Sequence, residues 1–496
     1  VPAPHLQAKV DRGAAWIGLA SLVLGGLDLT STLMTLWLWV SPADFGAATL
    51  AIALFPILDR VAGLGLGAAV VRRLDAGPEV TSSIFWLGLG ASLATLLALL
   101  LVRPHLGAFF PHPIVATLLC AYAGKLVFQN LAVVPDALLR RDLRFGALAI
   151  VRVSASFVDT TTKLGAAYLG AHGHPALKIW CFVLGPIANA IVTVIGVQRY
   201  HPWWPRLVFR GREALAAARF GATVAGGELL YYVYTSVDYV VVGRAFGDAA
   251  VGVYRLAFEL VLDVTRLVSM VTAEVAFPAF VRLRGDATAS AAMFLRFTRQ
   301  NLIVLAPFLA FVLVAADELL AVLYPPLDPA VATAARILCA VGGLRALSFI
   351  IPPVLAGLGE ARRALAYNVV AAIVLPLAFI AAAALRPDLG YLAVAWAWAL
   401  GYPLAFAALL ALTLPRLGLT ALTYARALVG VLGCAALAGA AAAAVHPLLP
   451  SAPALRVLAS AAIILAIDLA LLARFVRITP RSMWRALRGG RASGEA

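Results

Sequence analysis

A chain of 496 residues that is 63% hydrophobic and only 13% charged lies outside the range of soluble domains, which run about 45–50% apolar and about 25% charged. Its mean hydropathy of +0.95 and recurrent apolar runs, each able to cross roughly 30 Å of hydrocarbon as a helix, read as an all-α polytopic membrane protein and exclude a β-barrel, whose strands alternate in polarity. The net charge of +15 sits in short loops between apolar runs, so it reads as orientation in an anionic bilayer and contact with membrane lipids; no nucleic-acid partner is expected.

The stretch VPAPHLQAKVDRGAAW lacks the character of a cleavable signal, and the first helix is expected to be an uncleaved anchor. In chain order the predicted spans are 14–38, 43–68, 81–102, 113–134, 146–170 and 175–197. After a long connection come 217–241, 249–275, 294–316, 331–357, 361–385 and 388–414, and then 421–445 and 453–474. About 14 transmembrane helices are therefore expected. Pro56, Pro186, Pro307, Pro376 and Pro403 lie inside spans as packing kinks. Cys120, Cys181, Cys339 and Cys434 fall in apolar segments, so neither a disulfide framework nor a thiolate metal site is indicated.

The loops on the N-terminal side carry nearly all of the Lys and Arg outside the spans, and the opposite side receives only Arg103, Arg244 and Arg386. This asymmetry puts both termini in the cytoplasm. Residues 198–219, with Trp203, Trp204 and several arginines, read as an interfacial segment between two halves of six helices. Equal, even-numbered halves suggest duplication about an axis along the membrane normal. Aligning Gly46 with Gly252 pairs Arg60 with Arg266. The expected organisation is an N-terminal six-helix lobe (1–197), a cytoplasmic interfacial linker (198–216) and a C-terminal six-helix lobe (217–415). Two additional transmembrane helices (416–475) and a basic cytoplasmic tail (476–496) follow. The two lobes surround a central cavity.

Charges inside the spans are the informative anomalies, because each is expensive in lipid and should face protein or a watery cavity. Arg255, Glu259, Asp263 and Arg266 follow at spacings of four, four and three, which on a helix forms one stripe; Glu228 and Asp238 precede it and Glu274 closes its far end. The first half contributes Asp28, Asp59, Arg60, Lys125, Arg152, Asp159 and Lys163. Asp159 and Lys163 are spaced for an i,i+4 pair. Arg336 and Arg345 lie in the tenth span. Interhelical ion pairs that fix the fold are one reading; a bound polyanion is the other, since both halves supply cations and the arginine fork suits phosphate. The acids either balance cavity charge or exchange H⁺ or Na⁺.

Nothing points to chemical catalysis. The largest outer loop, 317–330, offers Asp317, Glu318 and Asp328 without histidines or a glycine cradle. His172 and His174 lack a third ligand, and no cofactor or metal is expected. Gly63, Gly65 and Gly67, within a membrane helix, read as close packing rather than a dinucleotide fingerprint.

Several stretches carry a family resemblance: FGAATLAIAL followed by GLGLGAAVVRRLD (63–75), VPDALLRRDLRFGALA (134–149), WWPRLVF (203–209), the run 219–260 containing DYVVVGRAFG, and AFPAFVRLRGD (276–286). In these the chain resembles bacterial polysaccharide exporters, the lipid-linked oligosaccharide flippases of the multidrug/oligosaccharidyl-lipid/polysaccharide superfamily. The resemblance implies alternating access between two lobes. It implies translocation of a polyprenyl-pyrophosphate-linked oligosaccharide across the bacterial cytoplasmic (inner) membrane, for exopolysaccharide or lipopolysaccharide synthesis. It makes Arg60, Lys125, Arg152, Lys163, Arg255, Arg266 and Arg345 candidates for the pyrophosphate and sugar, and Asp28, Asp59, Asp159, Glu228, Glu259 and Asp263 candidates for ion coupling or charge balance. A polysaccharide polymerase and glycosyltransferases are the expected protein partners, and the chain is expected to be a monomer. Val237 stands where the family commonly has Asn, so Asp238 and Arg244 are read as an outer structural pair. Three alternatives remain: a peptidoglycan-precursor flippase, an ion-coupled multidrug exporter, and a membrane glycan polymerase or ligase.

Overall fold

The computed structural model describes residues 20, 23–67, 70, 77–110, 112–142, 144–283, 285–324 and 328–476. The start of the expected anchor (14–19, 21 and 22), Arg72 and Arg73, and the basic tail beyond its first residue lie outside the described residues. The chain opens with an apolar helix α1 (Val23–Leu38). Helix α2 (Pro42–Gly63) follows, capped by Ser41, whose Oγ accepts from the Asp44 amide at 3.2 Å. Its first residue is Pro42, placed where a helix needs no amide hydrogen. Next come α3 (Pro78–Phe109), α4 (Ile114–Ala123), α5 (Lys125–Arg141), α6 (Phe145–Ala171) and α7 (Leu177–Tyr200). Then follow α8 (Gly211–Phe246), α9 (Asp248–Phe258), a π-helical segment Glu259–Asp263 and α10 (Val264–Arg282). The remainder is α11 (Ala287–Leu323), α12 (Ala330–Ser348), α13 (Ile351–Gly357), α14 (Ala361–Leu385), α15 (Leu392–Thr413), α16 (Ala421–Val445) and α17 (Pro453–Leu471).

Among the described residues 10 helices are long and apolar enough to cross a membrane, and α1 is a shorter apolar helix. The helices α6, α8 and α9–α10 are not among the 10. They are the ones that carry Arg152, Asp159 and Lys163, then Glu228 and Asp238, then the charged stripe. The charges these helices carry inside apolar sequence are what makes them informative.

The chain divides into two compact units, the described residues within Val1–Arg255 together with Phe379–Val394, and those within Leu256–Ala378 together with Ala395–Ala496. In the first, α6 and α7 form a hairpin, α2 packs on α4 and α8, and α5 packs on α3 and α7. In the second, α11 is the central helix, with α12, α16 and α17 against it. A cluster of Ala438, Ala442 and Ile464 forms part of the apolar seam of α16 and α17.

Two backbone approaches between segments of the first unit far apart in sequence require glycine. A Cβ on Gly46 would come within 1.8 Å of the Asp248 carbonyl oxygen, and one on Gly252 within 1.9 Å of that of Pro42. The offset that pairs Gly46 with Gly252 also pairs Pro42 with Asp248, so the contact repeats itself about a local two-fold axis. The second approach joins Gly65 and Gly221, where a Cβ on either would fall 2.4 Å or less from a backbone oxygen of the other segment.

Several expectations are corrected. Helix α2 ends at Gly63, with Leu64 and Gly65 both at positive φ (45° and 61°), so the glycine run terminates the helix instead of lying inside it. Helix α8 begins at Gly211, six residues before the predicted start at 217, so the interfacial connection is shorter. Residues 201–210 run without helix, held by the Trp86 indole N–H donating to the Arg206 carbonyl at 2.8 Å, and by the Arg206 and Arg210 amides donating to Ser82 and Ser83. Trp204 and Leu207 stay 79% and 90% exposed. Helix α11 runs through Leu323, so half of the expected outer loop 317–330 is helical. In the turn after α14, Arg386 donates to Asp388 at 2.9 Å, and that hydrogen bond holds the exposed Asp388 carboxyl below the ordinary range.

Candidate functional site

The first unit contains a polar cavity of about 510 Å³. Its wall is built from the last turn of α2 (Asp59, Arg60, Gly63), the following turn (Gly65, Leu66, Gly67), α5 (Lys125, Gln129, Asp136, Arg140), α6 (Arg152), α7 (Asn189, Thr193) and α8 (Ala225, Glu228). The termination of α2 opens this space, because the chain turns away at Leu64 and lets Gly65 close on Gly221. Arg60 is aimed at the cavity by two partners on α8: its Nε lies 3.1 Å from Glu228 Oε2, and its guanidinium lies 5.6 Å from the Tyr232 ring centroid. The adjacent Asp59 does not form this salt bridge, although its charge acts on Arg60. Lys125 starts α5 just after Gly124 and sits over the Phe55 and Tyr122 rings at 5.4 and 5.5 Å. Aromatic faces attract the ammonium without neutralising it.

Behind the cavity lies a second charged group. Lys163 Nζ donates to Asp28 Oδ1 at 2.9 Å and to Ser31 Oγ at 3.1 Å. The i,i+4 pairing with Asp159 is therefore corrected: the longer-range acid on α1 takes the ammonium. Asp159 packs instead against Gly185, where a Cβ would reach its Oδ1 at 2.3 Å. Its charge still interacts with Lys163 and Lys125. Arg255 extends this group, sitting over the Tyr239 ring at 5.5 Å and interacting electrostatically with Asp28. Asp28→Ala is expected to lower stability by about 3–5 kcal/mol, because it removes the hydrogen-bonded acid of the Lys163 ammonium, whose side chain is 6% exposed. Thermal unfolding of the purified variant against the wild type measures the loss.

The remaining candidates lie in the second unit. The π-helical segment breaks the stripe, because one extra residue in the turn shifts the register of everything after it. Arg266 is 45% exposed at its side chain and pairs with Asp263, 3.5 Å away at i,i+3, while Glu259 begins the π segment. Arg345 is 3% exposed and is enclosed by the rings of Phe258, Phe349 and Trp398 at 5.9, 5.4 and 5.3 Å. Asp238 is fully buried and accepts from the Tyr254 hydroxyl at 2.9 Å, while Arg244 is exposed; the expected outer pair gives way to this tyrosine contact. Sequence reasoning missed Gln129, Asn189 and Thr193, since neutral polar residues carry no signal in a span, and it assigned Asp136 and Arg140 to a loop.

The described residues form a helical bundle whose first unit holds a cavity walled by charged side chains of both signs. The model of the polysaccharide biosynthesis protein family matches residues 39–325, more than half of the chain, and the chain belongs to that family. It is 22% identical over 349 residues to the lipopolysaccharide biosynthesis protein WzxC of Escherichia coli (strain K12), covering 69% of this chain and 68% of that one. It is 25% identical over 322 residues to the succinoglycan biosynthesis transport protein ExoT of Rhizobium meliloti (strain 1021), covering 65% and 64%. The chain thus spans about two thirds of the length of these relatives. Its fold resembles that of the lipid II flippase MurJ in an inward closed conformation, with a TM-score of 0.74, 14% identity, and coverage of 94% of this chain and 98% of that one. With 10 helices among its described residues long and apolar enough to cross a membrane, it is a multi-pass membrane protein.

Proposed function

We propose that this protein is an alternating-access flippase that moves a polyprenyl-pyrophosphate-linked oligosaccharide from the cytoplasmic to the outer leaflet for polysaccharide synthesis. The observation that carries the reading is the cavity wall, where Arg60, Lys125, Arg140 and Arg152 stand against Asp59, Asp136 and Glu228. A volume of about 510 Å³ falls within the roughly 300–1,000 Å³ of ligand pockets. A net cationic wall suits a diphosphate, whose oxygens take charge-assisted hydrogen bonds from arginine. A cation exporter would call for the opposite balance. In this reading the polyprenyl tail stays in lipid, both termini are cytoplasmic, the lobes 1–197 and 217–415 rock about the segment 198–216, and H⁺ or Na⁺ moves in exchange. Support for the duplication comes from the repeated contact of Gly46 and Gly252, and for an appended C-terminal pair from the docking of α16 and α17 on α11.

A peptidoglycan-precursor flippase shares the polyprenyl-pyrophosphate chemistry and is the second reading, favoured by the fold likeness to MurJ. Proteoliposomes holding the purified protein and fluorescent polyprenyl-pyrophosphate lipids discriminate them. Movement of a lipid bearing an exopolysaccharide repeat unit, faster than one bearing the peptidoglycan disaccharide-peptide, is expected. Equal or reversed rates favour the second reading, and movement of neither lipid removes both.

A further inference from the structure

The first residue of α9, just after the turn from α8, is an acid that the cavity does not use. Asp248 is 5% exposed, and neither of its buried carboxylate oxygens has a hydrogen-bond partner among the described residues. Its own carbonyl oxygen is the atom that a Cβ on Gly46 would strike, and Gly252, four residues on, makes the reciprocal approach to Pro42. The close approach that the two glycines allow therefore coincides with the burial of the acid.

Three other charged groups lie on the segments around this turn. His112, exposed ahead of α4, is the positive group that acts on the acid. Asp44, in the first turn of α2, is engaged by the Ser41 hydroxyl at 2.8 Å. Arg244, near the end of α8, is exposed. A carboxylate without donors in such a site is strongly disfavoured relative to the neutral acid. Burial pushes the carboxyl above the ordinary range, with His112 opposing it.

We propose that Asp248 is a proton-binding site built into the lock between α2 and α9, protonated when the two helices touch and ionised when they part. The parting of these helices rests on the alternating-access reading. The contacting state holds the proton more tightly, so acid on the side of this turn favours contact. The ratio of contacting to parted molecules falls about tenfold per pH unit as pH rises from the value of a hydrated aspartate, about 3.9, towards that of the buried one. Charge asymmetry places the turn on the outer face of the membrane, so the proton is taken up from outside as the lock closes.

Nitroxide labels at the exposed Ala43 and Ala249, in the full chain with its four cysteines replaced and held in lipid nanodiscs, report the lock by pulsed electron paramagnetic resonance between pH 5 and 8. The short distance should lose population as pH rises. D248N should keep the short distance throughout, and D248E should restore the pH dependence. H112Q, which keeps Asp248 but removes the opposing charge, should move the midpoint to higher pH, so the test survives if D248N does not fold. A pH response that persists in D248N, an unmoved midpoint in H112Q, or a wild-type distance that ignores pH overturns the proposal. Absence of lipid-linked glycan movement alongside an intact pH response would sink the flippase reading and leave this site standing.

Discussion

Arg60→Ala is expected to slow translocation of the lipid-linked glycan by roughly 10- to 100-fold while leaving the protein folded. The Arg60–Glu228 pair has side chains 36% and 52% exposed, and an ion pair of that kind is worth about 0–1 kcal/mol of stability. What the substitution removes is a donor to the pyrophosphate, and one charge-assisted hydrogen bond is worth about 1.5–3 kcal/mol, with every 1.4 kcal/mol being about tenfold. Arg60→Lys should fall between the two, because an ammonium supplies charge without the planar fork. Glu228→Gln should bind pyrophosphate more tightly than wild type, since it removes the acid that competes for the guanidinium. Transport rates per folded molecule in proteoliposomes, together with pyrophosphate binding, check all three. A wild-type rate in the Arg60→Ala protein would exclude this cavity as the headgroup site.

The second large effect concerns the glycine run that ends α2. Gly65→Ala is expected to reduce the folded yield and the unfolding temperature well beyond Gly63→Ala or Gly67→Ala. Only Gly65 combines a φ of 61° with a backbone oxygen 2.4 Å from where its Cβ would lie; a Cβ on Gly63 meets nothing within 4 Å, and one on Gly67 only Val133 at 3.9 Å. The left-handed conformation costs a non-glycine residue about 1–2 kcal/mol, and forcing atoms into a filled space typically adds about 1–3 kcal/mol. Thermal unfolding of the three variants in detergent ranks them, and equal losses at the three positions would refute the assignment.

Much of the fold was legible because about twenty apolar residues in a row have few alternatives to a membrane helix; the predicted boundaries of 361–385 and 421–445 coincide with α14 and α16. The charged positions were legible for the converse reason, each being costly unless something receives it. Their partners were not. Local spacing pointed to Asp159 with Lys163 and named no partner for Arg60, whereas Arg60 meets Glu228 and Lys163 meets Asp28 across long stretches of chain. Side-chain spacing along one helix reports a neighbour but says nothing about a better one on the next helix. The π segment within Glu259–Asp263 was invisible because hydropathy is insensitive to one surplus residue in a turn. Arg345 was taken with the other buried cations; Phe349, one turn later, was the available hint of an aromatic enclosure.

The reciprocal contact of Gly46 with the Asp248 carbonyl and of Gly252 with that of Pro42 has the form of an isologous interface, the kind two identical subunits make across a two-fold axis. One covalent chain makes it here with two positions free to mutate separately, yet neither glycine is useful without the other. A side chain gained at position 46 holds the helices apart and removes any benefit of keeping 252 bare. The two codons are thus expected to behave under selection as one, because once either is replaced the contact is lost and replacing the other adds little further cost.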